Sequence, residues 1–334
     1  MKKKETVIEK KGLQFEKSQR LIDEAENLLG GPLLLYWNSE NGTLTNDDAS
    51  AFRSLLAGVP PAKLLYFCIT SSGGSGLAAL RIANLLRRRC EQLIVLVPSH
   101  AESAATMLAL AADEIHLAPH ANLSPVDSSI QHLLAPVNQT NDQVSVGQDE
   151  LARIVGLWKK ESRSDSSNPY PELWRYIHPL TIGAVDRANS LSLKLCNALM
   201  AFHLPDEGLR KRIAETLTME YPTHGYPILL PEAREIGIPV KDMDQDVENI
   251  LARLQECYVE TGKLIRTDQD PDHHHDLEIP VFIERKDRMI LCRLNRDWYY
   301  RTDEKRWQRL HSLDGWYIAE LYKGKVVERP LNIQ

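Results

Sequence analysis

No run of about 18 apolar residues occurs in this chain, so no helix in it is expected to span a bilayer. Cysteine is sparse: Cys68, Cys90, Cys196, Cys257 and Cys292 are odd in number, scattered, and never in C-x-x-C spacing. That pattern indicates neither a disulfide framework nor a zinc site. Positive charge is not in excess either. The 334 residues carry 40 Lys and Arg against 46 Asp and Glu, a net −6, where a nucleic-acid binder would normally show a basic footprint. The opening Met1-Lys-Lys-Lys-Glu-Thr-Val-Ile-Glu-Lys-Lys11 has the basic start of a signal peptide with no apolar stretch behind it, and reads as a solvated helix or tail. The expectation is a cytoplasmic protein with no membrane segment, no nucleic-acid partner and no cofactor.

What is present is a 43% hydrophobic fraction, enough for one large α/β domain with an appendage. Apolar runs at Leu33–Trp37, Lys63–Thr70, Leu93–Val97 and Glu114–Leu117 alternate with helical patterns over about 45–57, 77–89 and the stretch after Ser103. Strands alternating with helices of this length predict crossovers and a mostly parallel, buried sheet. Helices are also expected over 148–160, twice within 180–219, at 232–236 and over 246–258. Residues 1–29 read as a charged helical segment and 30–265 as the main domain. The polar stretch 266–278, with its run His273-His-His275, reads as a linker. Short strand patterns at 279–283, 289–293, 297–301 and 316–321, with turn signals Asp314-Gly315 and Lys323-Gly324, predict a small β-rich C-terminal domain over 279–334.

Two turns carry the chemistry. Ser71-Ser-Gly-Gly-Ser-Gly76 follows one strand, and Pro98-Ser-His-Ala-Glu-Ser103 follows the next and opens a helix of small residues. Adjacent parallel strands set their C-terminal loops side by side. Gly73 and Gly74 can therefore present backbone N–H groups beside the Ser103 hydroxyl, as an oxyanion site requires. Serine is also a common N-cap, so capping competes with catalysis at Ser103. Gly74-Ser-Gly76-Leu-Ala-Ala79 additionally fits a dinucleotide fingerprint, but the next strand ends in Val97-Pro98 rather than in a ribose-binding acid.

Ser72-Gly-Gly74, Ala101-Glu-Ser-Ala-Ala-Thr106, Leu110-Ala-Ala-Asp-Glu-Ile115 and Pro125-Val-Asp127 occur in that order. Downstream lie Ile177-His-Pro-Leu-Thr-Ile-Gly183 with Arg187, Thr223-His-Gly-Tyr-Pro-Ile228, and Glu232-Ala-Arg-Glu-Ile-Gly237. Together these motifs, over about 30–240, resemble the serine dehydrogenase proteinase family. That family is similar to signal peptide peptidase A and, more distantly, to the Clp protease and crotonase fold. The resemblance implies a crotonase-like parallel-sheet core and a serine peptidase. In it Ser103 is the nucleophile, Gly73, Gly74 and the Ala104 N–H surround the oxyanion, and Asp127 anchors a loop. It also implies a peptide or unfolded-protein substrate and a homo-oligomer. The chain departs from the family pattern at Leu123-Ser-Pro-Val-Asp-Ser-Ser129, where the family shows Leu-Gly-Pro-Ile-Asp-Pro-Gln. Glu102 sets a carboxylate next to the nucleophile.

A serine nucleophile needs a neutral base, an imidazole or a desolvated lysine. His224 is the favoured candidate, with packing against Tyr226 and Pro227 as its structural alternative. Lys159 and Lys160 are the dyad candidates, and His178 and His120 are lesser ones. His273–His275 between Asp272 and Asp276 reads as an exposed linker rather than a metal site, because consecutive histidines point in different directions. Trp298, Tyr299, Tyr300, Trp307 and Trp316 read as the core of the small domain. Two other functions remain open: an inactive crotonase-fold scaffold for a protein partner, and a crotonase-type enzyme acting on an acyl-thioester.

Overall fold

The structure is a computed structural model that describes residues 13–126, 129–130, 146–161, 170–322 and 325–333. Helix α1 (Phe15–Leu29) ends at Gly30, whose left-handed φ of 71° closes the helix. Strand β1 (Leu33–Asn38), helix α2 (Asn46–Leu55), strand β2 (Ala62–Thr70), helix α3 (Gly76–Arg87) and strand β3 (Cys90–Val97) then alternate. The two-residue strand β4 (His100–Ala101) leads into helix α4 (Ala104–Ala109), then strands β5 (Glu114–Leu117) and β6 (Asn122–Leu123). A short hairpin, β7 (Ser129–Ile130) with β8 (Val146–Gly147), precedes helices α5 (Gln148–Glu161), α6 (Tyr170–Leu173), α7 (Pro179–Met200) and α8 (Glu207–Glu215). Helix α9 (Leu230–Ile236), strand β9 (Val240–Asp242) and helix α10 (Gln245–Gly262) complete the core.

Strands β1, β2, β3, β5 and β9 form a parallel ladder in that order. Neighbouring β1 side chains show how the helices divide between its faces. Tyr36 packs on Phe52 of α2, and Trp37 packs on Tyr258 of α10. Alternation along a strand sends successive side chains to opposite faces, so α2 and α10 cover opposite sides. Helices α2, α3, α4 and α7 pack in sequence on the first side, and α1 packs on α10. Core strand residues such as Leu35, Phe67, Ile69 and Val95 are buried, as a sheet covered on both faces requires.

The C-terminal strands are β10 (Ile265–Asp270), β11 (His273–Arg285), β12 (Arg288–Arg301), β13 (Arg306–Ser312), β14 (Gly315–Tyr322) and β15 (Lys325–Leu331). They do not form a sheet of their own. β11 pairs antiparallel with β1, from Leu34↔Arg285 to Asn38↔Val281, and continues the central sheet. The stretch expected to be a linker, 266–278, is therefore corrected to most of β10 and the first half of β11. Its histidines diverge. His273 Nδ1 lies 2.9 Å from Asp270, His274 stacks on Trp298 and meets the edge of Trp307, and His275 Nδ1 lies 2.7 Å from Asp297.

Where β11 crosses the core it carries a buried carboxylate. Glu284 accepts hydrogen bonds from Ser18 Oγ at 2.6 Å, Gln19 Nε2 at 2.7 Å and Tyr258 Oη at 2.6 Å, tying α1 and α10 to the sheet. Burial pushes its carboxyl up to about 7, although these three donors pull it down. The folded protein thus keeps a proton that an unfolded carboxyl at 4.5 has released. Stability falls as pH rises between those values and levels off above them. Glu284→Gln removes the titration. The stability difference from wild type, followed by urea unfolding, is expected to shift roughly 2–3 kcal/mol in the variant's favour between pH 5 and pH 8. A pH-independent difference would show that this carboxyl does not titrate on unfolding.

Candidate active site

Ser103 sits between β4 and α4 with φ 51° and ψ −119°, in the positive-φ region that non-glycine residues rarely adopt. Its side chain makes no capping bond, although the residue occupies the N-cap position. The hydroxyl is thus lifted out of its own turn, as at a strand-to-helix nucleophile elbow. Three bonds hold the strained turn. The Ser103 N–H donates to Ser124 Oγ at 2.7 Å, Thr106 Oγ1 donates to the Ala101 carbonyl at 2.6 Å, and the Ser124 N–H donates to Thr106 Oγ1 at 3.0 Å. Thr106 and Ser124 are fully buried. Ser124 replaces the family's glycine, and the departure supplies the acceptor for the Ser103 N–H.

The glycine loop lies directly against this elbow. A Cβ on Gly73 would fall 2.6 Å from the Glu102 carbonyl and 2.8 Å from Ser103 Cβ, so only glycine allows the two loops this close. Gly73 and Gly74 both have positive φ, at 97° and 141°. They differ in their N–H groups. Gly73 donates to Ser71 Oγ at 3.1 Å, whereas the N–H groups of Gly74 and Ala104 have no acceptor among the described residues. Gly74 and Ala104 therefore carry the uncommitted N–H groups beside Ser103, and Gly73 serves the close approach. At Gly76 a Cβ would meet Leu195 Cδ1 at 2.8 Å and Met107 Sδ at 3.0 Å, so glycine here lets the start of α3 pack closely on α7 and α4.

Ser103, Gly74 and Ala104 open into a cleft of about 410 Å³. Its far walls are Met107, Val126, Leu191 and Leu195, and His224 stands at its rim. Val126 is set by a local irregularity. After α8 the chain winds into a π-helical turn, Thr216–Glu220, and the Leu217 carbonyl accepts the Val126 N–H at 2.9 Å. The exposed loop carrying His224 follows directly, with Tyr226 stacked on Tyr221 at 5.0 Å.

The other base candidates lie elsewhere. His178 is the N-cap of α7, its Nδ1 accepting the Leu180 N–H at 3.2 Å. His120 lines a different cavity. Lys160 is exposed on α5; Lys159 belongs to the same helix, but its side chain, like all of Asp127, lies outside the described residues. Glu102 turns away from the oxyanion donors, and its Oε1 accepts from Asn122 Nδ2 at 3.2 Å.

Sequence reasoning missed Thr106 as a clamp, and it met Ser124 only as a departure from a pattern. It met Asp113 only as the start of the strand after the small-residue helix and missed its pairing with Arg87. Asp113 takes a two-pronged bond from Arg87 and accepts the Leu93 N–H at 2.7 Å, fixing β5 beside β3. Burial works against its charged form, but Arg87 and the Leu93 N–H outweigh it and hold the carboxyl below its usual value.

Residues 29–145 match the sequence profile of a family described as ClpP-like SDH-type serine proteinase. The matched segment contains Gly73, Gly74, Ser103 and Ala104 but ends before His224. Among curated proteins, two uncharacterized proteins of Methanocaldococcus jannaschii are similar, one 27% identical over 64% of this chain and the other 26% identical over 65%. The matches span 65% and 63% of those relatives' own lengths. A 1510-N membrane-bound stomatin-specific protease mutant is similar at 13% identity, over 68% of this chain and 83% of that one, with a TM-score of 0.38. ClpP1 from Listeria monocytogenes is similar at 14% identity, over 70% of this chain and 99% of that one, with a TM-score of 0.34. Among the described residues no helix is long and apolar enough to cross a membrane.

Proposed function

We propose that the chain is a serine peptidase that forms an acyl-enzyme on Ser103. The observation that carries this reading is the backbone of Ser103. A serine held at positive φ without capping its helix has no structural return for its strain, and such strain gathers at functional sites. The family match of the surrounding segment supports the same reading.

In the proposed reaction Ser103 Oγ attacks the carbonyl carbon of a peptide bond while His224 takes the hydroxyl proton. The developing oxyanion accepts from the Gly74 and Ala104 N–H groups. As the C–N bond breaks, the imidazolium returns its proton to the leaving amine. Water, deprotonated by the same imidazole, then releases the acyl group and restores Ser103. The proposed substrate is an extended or unfolded peptide segment, in keeping with the match to a serine proteinase family. The expected self-association is a separate proposal, read by light scattering on the full chain.

Labelling with a fluorophosphonate tests the nucleophile: wild type labels at Ser103, and failure to label across a range of conditions overturns the peptidase. The base has its own test. His224→Ala is expected to slow labelling about 10²- to 10⁴-fold, the usual size of a lost general base. Lys159→Ala and Lys160→Ala are expected to stay within about twofold of wild type. The same loss on Lys159→Ala, with His224→Ala unaffected, would transfer the role to the α5 lysine.

A further inference from the structure

A second cavity, of about 450 Å³, lies on the other side of the turn that carries Ser103. Ser72 lines both it and the nucleophile cleft, so the two spaces meet at the loop pair flanking Ser103. What distinguishes the second is its charge: beside Trp37 and Val259 it gathers Glu40, Glu102, His100 and His120, whereas no carboxylate lines the first among the described residues. Among the described residues no lysine or arginine lines the second cavity, and its formal charges are the Glu40 and Glu102 carboxylates.

Glu102 is built into this wall rather than left on a mobile loop. Its N–H donates to the Ser71 carbonyl at 2.9 Å, its own carbonyl accepts the Ala105 N–H at 2.8 Å, and Asn122 Nδ2 holds one carboxylate oxygen. His100 is fixed likewise, with Nδ1 3.1 Å from Ser99 Oγ and Nε2 3.5 Å from Ser72 Oγ. Asn38, only 4% exposed, borders the same space, and its Oδ1 accepts from Ser71 Oγ at 2.5 Å, which ties the end of β1 to the glycine loop.

We propose that this cavity is a specificity subsite that takes a cationic side chain, arginine or lysine, of the bound peptide, with Glu102 as the selecting residue. The assignment rests on the Ser103 peptidase reading for its place along the substrate. A chain lying across Ser103 leaves the nucleophile cleft at Ser72 and enters this cavity, so the basic residue falls on one side of the scissile bond only. Charge supplies the selection: a guanidinium or ammonium pairs with the Glu102 carboxylate, and a neutral isostere of the same shape does not.

The test separates this proposal from the reaction itself. Full-length protein carrying Ser103→Ala is titrated with fluorescein-labelled octapeptide pools, each with arginine at one position, and with matched pools carrying citrulline there. Arginine is expected to bind about tenfold tighter than citrulline at one position, the worth of one charge-assisted hydrogen bond. The ratio is expected to fall within about twofold on adding Glu102→Gln, and glutamate pools should overtake arginine on adding Glu102→Lys. Cleavage maps of an unfolded protein digested by the Ser103 enzyme should show basic residues enriched on one side of the cut. Equal binding of arginine and citrulline overturns the subsite, as does a preference that survives Glu102→Gln or the absence of any peptide binding at millimolar concentration. A preserved arginine preference without fluorophosphonate labelling overturns the peptidase and leaves the cationic site standing.

Discussion

Ser103→Ala is expected to abolish fluorophosphonate labelling and to cut peptide hydrolysis by at least about 10³-fold, as nucleophile deletion does in serine hydrolases. The rest of the site should survive the change. Gly74 and Ala104 keep their free N–H groups, and Ser124 still accepts the N–H of residue 103. Ser103→Gly separates the hydroxyl from the strain. Glycine adopts a φ of 51° without steric cost, so this variant loses the reaction equally. It should also unfold later: relief of about 1–3 kcal/mol of strain exceeds the 0.5–1 kcal/mol or so of extra chain entropy that glycine loses. Thermal unfolding of the three proteins in parallel reads both effects. A Ser103→Gly protein that is less stable than Ser103→Ala would show that the elbow holds no strain.

Gly73→Ala is expected to be nearly as damaging, without touching any reacting group. The new methyl falls within 3 Å of the Glu102 carbonyl, Ser103 Cβ and the Ala104 N, which are backbone or elbow atoms with little room to yield. The φ of 97° also strains any residue with a side chain. Crowding and strain together should lower stability by about 3 kcal/mol or more. The two loops must part, which moves the hydroxyl relative to both oxyanion donors, and a shift near 1 Å costs about 10²-fold in rate. Chemical unfolding and labelling rate, measured on the same sample, check the pair of effects. Labelling at the wild-type rate would mean that contact between the two loops does not align the site.

The parallel core was legible because its strands are apolar on both faces and its helices keep a regular period. The C-terminal strands were less so, for identifiable reasons. β12 reads as two strands because Leu294-Asn-Arg296 interrupts the apolar pattern, yet it is continuous. Its first half pairs with β14 and its second half with β13, and the interruption marks the change of partner. β10 and the start of β11 read as a linker because their polar side chains have no apolar face to betray them. They satisfy one another across the ladder instead, as in the two-pronged bond from Arg266 to Asp276.

At the site, residue type pointed to Ser103 and the glycine pair, but nothing in a sequence reports a φ, and that the Ser103 side chain does not cap its helix is visible only in the backbone. Thr106 and Ser124 act through contacts 18 to 21 residues apart in the chain, from Ser124 to Thr106 and to Ser103, which neither period nor motif could reveal.

The pairing of β1 with β11 also bears on the order in which the protein can be made. Leu34 leaves the ribosome about 250 residues ahead of its partner Arg285. At roughly 5–20 residues per second, the first core strand waits on the order of 10–50 s with one edge unpaired. Until β11 emerges, the Ser103 half of the molecule presents a six-residue, largely apolar strand edge to every other nascent chain nearby. Synthesis thus passes through an interval in which a folding chaperone, or a second copy of the same strand, competes for the place that β11 finally takes.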